Sequence, residues 1–565
     1  VTEPEALQAL LGASTLAEAR EAVRALTRGG AFAWRPLGDK EGNFGLVNIG
    51  SEPGLAFVER VTNALDAVVD LAAAAVAPEV RADLESPRDA PRRLFAIPEG
   101  RLTHLDEAAA RELASRVVVR TLAGSARERP TLEVRDFGTG ITPEQMPDTI
   151  LNLADSNKID KPYLAGAYGQ GGSTTFAFAP GGSLIASATA GSALGITFVR
   201  YRALDPHRNK NGRYEYLVRA RGKSVATLPA GAHEFPRGTL VRHFDYDLGD
   251  EGLGALRVAL FDPVLPFTLV ESPGFLSGVP EIVRGRVAQL EAAGSAIEYR
   301  QAMTFPLGRN ACDGLVRVQY WVLARDDDPL HEAPQRPVLL TNFGQTHGTE
   351  DRRFIVETLR LPYLKSALIV SIELDALAPS AKRELLSTTR DRLKRGARYR
   401  ALLDGVRDAL LDDPELARAN AERRRCLLDR QNATDQKRLR KRLAELMEKF
   451  RPGDEAGAAA ARNGKGGATA ARDEAGDGAG GVLCVPHAGS HRRLRRDRRD
   501  GARKLPAFGA RPHRPHRRQL DRLGRTHRLR HARRLTAEFL GGIRVLRPHI
   551  SGRRCVGSSA SKAAP

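Results

Sequence analysis

One stretch of the chain limits its fold more than any other. In "GLAFVERVTNALDAVVD", Gly54 to Asp70, the spacing predicts a helix whose polar residues form a single narrow stripe. At about 100° per residue, Glu59, Asn63, Asp66 and Asp70 fall within roughly 60° of one another. Phe57, Val61, Leu65, Val68 and Ala72 take the opposite side. One face therefore belongs to a core. The other is either a solvated surface or the wall of a polar site, with Glu59 and Asn63 one turn apart and neighbours in space.

A chain of 565 residues with 42% hydrophobic content has room for two or three folded units. Its formal net charge of +20 suggests a polyanion partner, but the charge is unevenly spread. Residues 451–565 hold 27 Lys and Arg against 9 Asp and Glu, whereas residues 1–450 hold 61 against 59. The part able to fold is nearly neutral and lends no support to DNA binding. Residues 451–565 open with a Gly/Ala-rich linker that cannot build a core and continue through "HRRLRRDRRDGARK". This tail is expected to be disordered. It holds 24 Arg but 3 Lys, and Phe508 and Phe539 are its only aromatics, so the interleaved rings of a single-strand binder are missing. Phosphate neutralisation is one account of it; a GC-rich gene read in a shifted frame is the other, and the one preferred.

Cys312, Cys426, Cys484 and Cys555 show no paired spacing, which fits a reducing compartment. Cys484, His487 and His491 have ligand-like spacing without a fourth partner, a weak zinc signal. No basic segment followed by an apolar core opens the chain. The most apolar window is broken by Asp66, Asp70 and Pro78, short of the ~20 residues a membrane span needs. A cytoplasmic protein without a membrane partner is expected.

Residues 1–30 read as two short helices, the second capped by Ser14 or Thr15. Residues 31–250 read as an α+β domain, with β-like runs "RPTLEVRD", "SLIASATA", "ITFVRYRAL" and "GTLVRHFDY" between Gly-rich turns. Residues 251–400 read as a second α/β unit, with strands in "GLVRVQYWVLA", "PVLLTNFGQT" and "SALIVSIELD" and a helical piece in "EIVRGRVAQLEAAG". Residues 401–450 look helical throughout.

Two Gly-rich segments follow the striped helix. "DFGTG" places Asp136, Gly138 and Gly140 at the end of a strand, and "GAYGQGG" places Gly166, Gly169 and Gly171. With 54 glycines in the chain, a lone G-x-x-G-x-G arises by chance about half a time, and a hairpin turn is the ordinary account of "DFGTG". Order and context add weight. A helix with E-x-x-x-N, then D-x-G-x-G, then G-x-x-G-x-G resembles the GHKL ATPase superfamily of gyrase B, MutL, the ninety-kilodalton heat-shock chaperone, MORC proteins and sensor histidine kinases. The resemblance covers roughly residues 30–250 and extends more loosely to about 400.

That resemblance implies a Bergerat-type ATPase sandwich followed by an S5-like transducer domain and a helical extension, with ATP and Mg²⁺ as cofactors. Asn63 would offer an amide oxygen to Mg²⁺, a hard cation that favours oxygen ligands. Glu59 would orient or deprotonate the attacking water. A carboxylate here, where sensor kinases carry Asn, favours hydrolysis over phosphate transfer to histidine. Asp136 would accept from the exocyclic amine of adenine, with Thr239 supporting it through a hydroxyl or a water. Gly138 and Gly140 would let backbone approach the purine. Gly166, Gly169 and Gly171 would turn backbone N–H groups toward phosphate as an anion-binding lid. Ser156 and Lys158 match MORC-type lids, although Ser173 and Thr174 stand where those proteins carry a Lys. Gln345-Thr346-His347 resembles the gyrase-type Gln-Thr-Lys, with His347 in place of the phosphate-sensing Lys. Arg390 and Arg392 would contact phosphate or a partner, or else form a helix surface. Asp66 and Asp70 are expected to be merely solvated. The activity implied is slow ATP hydrolysis with lid closure and homodimerisation, in DNA transactions or defence. A chaperone-like clamp on protein clients and a nucleotide-gated binding module with little turnover are the alternatives.

Overall fold

Among the described residues, fifteen strands form two sheets with helices against them, a mixed α+β architecture. The computed structural model describes residues 1–48, 52–126, 128–153, 160–166, 171–205, 207, 210–249, 253–271, 279–307, 313–324, 334–386 and 393–449. The tail beyond them, with Cys484, His487 and His491, lies outside the described residues.

The larger sheet collects β1 (Phe32–Pro36), β2 (Val117–Ala126), β3 (Arg129–Asp136), β4 (Ser183–Ala188), β5 (Leu194–Arg202), β6 (Arg213–Arg219), β7 (Ala226–Leu228), β8 (Gly238–His243), β9 (Phe267–Val270) and β10 (Glu281–Val283). Its order is β1-β6-β5-β4-β8-β3-β2-β9-β10, with β7 paired to β5. Every pairing is antiparallel except β2 with β9. Side chains alternate across the sheet. In β4, Leu184 and Ala186 enter one core and Ile185 another. Both faces are covered, which is why "SLIASA" is buried along its whole length.

Two helices cover the first face. Glu3–Gly12 and Leu16–Thr27 are capped by Thr2 and Thr15, each in a capping box with the Glu three residues on. Leu7, Leu10, Ala19 and Leu26 pack on Leu184, Ile196 and Leu240. A buried ion pair lies beneath them. Arg242 of β8 donates to Glu133 of β3, directly opposite in the ladder, and to the carbonyls of Leu11 and Ala13 where the first helix ends. The two helices of residues 1–30 are thus packed on the large sheet.

The smaller sheet contains β11 (Ile297–Pro306), β12 (Leu315–Leu323), β13 (Val338–Asn342), β14 (Gln345–Glu350) and β15 (Leu368–Glu373), in the order β11-β12-β15-β13-β14. The boundary expected at 250 falls inside the large sheet, which takes in β9 and β10. "EIV", read from sequence as helical, is strand β10, and the helix starts at Gly285. A hairpin through Phe343 and Gly344, both at positive φ, joins β13 to β14. Helices Ala397–Leu411 and Pro414–Lys449 complete the described chain, the first packing Leu402 and Val406 on the small sheet's core.

Candidate active site

The striped helix spans Pro53–Ala75. Phe57, Val61, Leu65 and Val68 pack against Val119 of β2 and Leu132 and Val134 of β3, as the apolar stripe demands. The polar stripe is not solvated. Glu59 is buried and Asp66 is 1% exposed. The two Asp66 oxygens accept the backbone N–H of Ala165 at 2.9 Å and of Gly166 at 2.8 Å. Asp70 accepts from the Lys161 ammonium at 2.6 Å and the Tyr163 hydroxyl at 2.9 Å. The expectation of solvated carboxylates is therefore corrected. Both aspartates pin the chain that leads into the glycine-rich segment, and a buried carboxylate is tolerated because its lone pairs are taken.

A cavity of about 470 Å³ opens between this helix and the sheet, within the usual range for a small-molecule site. Asp136, Thr139, Gly140 and Thr239 line one part of its wall, and Arg60, Asn63, Gly172 and Ser173 also line it. Asp136 ends β3 and is 4% exposed. Its Oδ1 accepts the N–H of Gly138 at 2.9 Å and of Thr239 at 3.3 Å. Oδ2 accepts from no described residue. Burial pushes the Asp136 carboxyl up to about 7, outweighing the two backbone N–H groups and the nearby Arg135.

The two glycines of this turn are closely packed. A Cβ on Gly138 would lie 2.4 Å from the carbonyl carbon of Ala67, so the turn is pressed against the helix. Gly140 has φ +69°, and a Cβ there would lie 1.9 Å from the Ala188 carbonyl oxygen. Sheet and helix thus exclude side chains at these two positions. Gly138 is absent from the cavity wall, whereas Gly140 lines it. Thr239 supports Asp136 through its backbone N–H; its hydroxyl pairs with Ser187 at 3.0 Å. Ser187 in turn accepts the N–H of Ile141. Nothing local in sequence pairs a β4 serine with this turn.

Asn63 lines the cavity, and Glu59, one turn earlier, does not. Gly166 and Gly171 are described, Gly171 opening the short helix Gly171–Thr174. Ser156, Lys158 and Gly169 lie outside the described residues, as do Arg390 and Arg392. Gln345 stands apart from the cavity: its Nε2 donates to the Thr62 hydroxyl at 2.8 Å, one residue before Asn63. His347 is buried on the same strand and also does not line the cavity. Sequence reasoning missed Arg60, Lys161 and Ser187, all tied to this site.

No protein-family profile and no curated protein matches the chain. Among solved structures, it is similar to the B subunit of DNA gyrase from Myxococcus xanthus at 10% identity and a TM-score of 0.30, over 54% of this chain and 86% of that one. It is also similar to the 43K ATPase domain of Thermus thermophilus gyrase B, solved with an aminocoumarin, at 14% identity and a TM-score of 0.27, over 63% and 95% of the two chains. Likenesses this distant assign nothing to individual residues of this chain.

The donor set is what the cavity itself supplies. Among the described residues, no group of three His, Cys, Asp or Glu side chains is arranged to hold a metal ion. A magnesium ion would need the Asn63 amide together with oxygens brought by a ligand and by water. Among the described residues, no helix is long and apolar enough to cross a membrane.

Proposed function

We propose that the chain is a GHKL-type protein that binds ATP with Mg²⁺ in this cavity and hydrolyses it slowly. One observation carries the reading. Asp136 is a buried carboxylate with one oxygen fixed by two backbone N–H groups and the other left for the cavity, the arrangement that accepts an exocyclic amine of a purine. Asn63, on the cavity wall, supplies an amide oxygen for a hard cation. Bound magnesium would neutralise charge on the phosphates. Glu59, one turn before Asn63, is the general base in this reading, and the S5-like role falls to the small sheet.

Calorimetry of ATP with Mg²⁺ into the full chain tests it. Heat of binding is expected in the wild type and its loss in Asp136→Ala; a wild type that gives no heat overturns the reading. One observation favours a second reading, a nucleotide-gated binding module with little turnover: Glu59 does not line the cavity. Phosphate release that is unchanged in Glu59→Gln selects the module over the hydrolase.

A further inference from the structure

The strongest unexplained group in the molecule is Arg60. It follows Glu59 on the striped helix, where the sequence alone gives it the look of an ordinary surface arginine. It is instead 5% exposed and lines the cavity. Nη2 donates to the Gly172 carbonyl and to the Thr175 hydroxyl, the latter at 3.2 Å. Nε is buried with no partner, and Nη1 donates to no described residue. Among the described residues, no carboxylate lies within ion-pair distance of the guanidinium. Phe176 packs 5.6 Å from it, and His243 is held neutral by burial and by the charge of Arg60. Burial pulls Arg60 down only to about 10, so it is charged at neutral pH.

Glu59 acts on the guanidinium only from beyond ion-pair distance; a buried guanidinium without a paired anion is costly, and the cost falls when one arrives to meet its open Nη1. Its neighbours say where that anion would sit. A Cβ added to Gly172 would lie 3.0 Å from the Asn63 amide nitrogen and 3.4 Å from Arg60 Nη1. Arg60 and Asn63 thus flank the same glycine, one able to hold phosphate oxygens and the other a cation bound to them. We infer that Arg60 is a phosphate-binding residue, its open Nη1 taking the polyphosphate of a nucleotide. The inference deepens the ATP reading and rests on it.

The competing account is a strut: Arg60 ties Gly172 and Thr175 to the helix and touches no ligand. Calorimetry with adenosine, ADP and ATP on full-length wild type, Arg60→Met and Arg60→Lys separates the two. The expected result is unchanged adenosine affinity in Arg60→Met, with the gain of ATP over adenosine reduced by about tenfold or more, and partial recovery in Arg60→Lys. Equal loss of adenosine and ATP in both variants, or a full ATP gain kept in Arg60→Met, overturns the assignment while leaving nucleotide binding intact. A wild type that binds neither adenosine nor ATP sinks the ATP reading and the assignment with it. Should Arg60→Met fail to fold, thermal shifts with sodium tripolyphosphate decide. Stabilisation of the wild type beyond that of Arg60→Lys supports the assignment, and an equal or absent shift in the two refutes it.

Discussion

Replacing Asp136 by Asn should make the protein more stable and less able to bind nucleotide, by an amount that grows with pH. The carboxyl stands at about 7 in the folded chain against an ordinary value of 3.8. Below the lower value it is neutral in both states, and its contribution to stability is fully present. Between the two values the unfolded chain releases a proton that the folded chain keeps, so stability falls as pH rises, and the loss is complete above about 7. At about 1.4 kcal/mol per unit, the whole effect is about 4 kcal/mol, of which roughly 2.5 kcal/mol develops between about pH 5 and about pH 8.5. Asn carries no charge, and its amide oxygen can accept the same Gly138 and Thr239 N–H groups. Its stability advantage over the wild type should therefore open as pH rises. Urea midpoints of both chains at the two pH values measure this. The same substitution turns an amide N–H₂ toward the cavity, where Oδ2 had offered an acceptor. ATP should then stabilise the wild type and not the variant. A gap between the two chains that does not change with pH would refute the argument, since only the buried charge differs.

Three further outcomes follow from the same geometry. Gly138→Ala should lower the melting temperature and cost about 1–3 kcal/mol, because its methyl meets the Ala67 backbone; thermal unfolding checks it. Asp66→Ala should leave the Ala165 and Gly166 amides without their acceptor, and hydrogen exchange at those two amides should accelerate while that in β3 is unchanged. Gln345→Ala should lower stability by about 1 kcal/mol through loss of its bond to Thr62 and leave ATP affinity, read by calorimetry, within about twofold, as befits a residue off the cavity wall.

Much of the site was legible because it depends on local pattern. The stripe of the Pro53–Ala75 helix follows from a period of 3.6, and β3 running into a Gly-rich turn follows from alternation and punctuation. What stayed hidden depends on contacts made far along the chain. The parallel pairing of β2 with β9 joins Val118 to Thr268, and no window of sequence contains both. It is this pairing that carries the large sheet past residue 250. The glycines at 138 and 140 were visible, but their close contacts with the backbone at Ala67 and Ala188 were not, because neither residue gives a sign in sequence that it presses on the turn. Arg60 was hidden differently. A charged residue beside a polar stripe reads as solvated, and only burial with an unfilled edge distinguishes it.

The small sheet bears on the site through the striped helix and not through the cavity. Gln345 touches Thr62 from β14, and the turn before it is locked from below: Asp262 N–H donates to the Gly344 carbonyl, where a Cβ on Gly344 would lie 1.7 Å from the Asp262 carbonyl oxygen. Arg88 binds Asp262 at 2.7 Å and Asp375 at 3.3 Å, while Arg101 reaches Asp262 and Glu373. These buried charges pair segments beside the large sheet with the end of β15 and the residues after it, and removing one of them strands its partners. The helix that carries Asn63 and Arg60 is therefore held on its apolar face by β2 and β3 and at Thr62 by the small sheet. A shift of the β13–β14 hairpin cannot occur without either breaking the Gln345 bond or carrying Thr62 along. The Gln345 bond thus gives the small sheet a direct hold on the helix turn that carries Asn63, beside the Arg88 and Arg101 ion pairs and the bond from the Thr346 hydroxyl to the Val258 carbonyl.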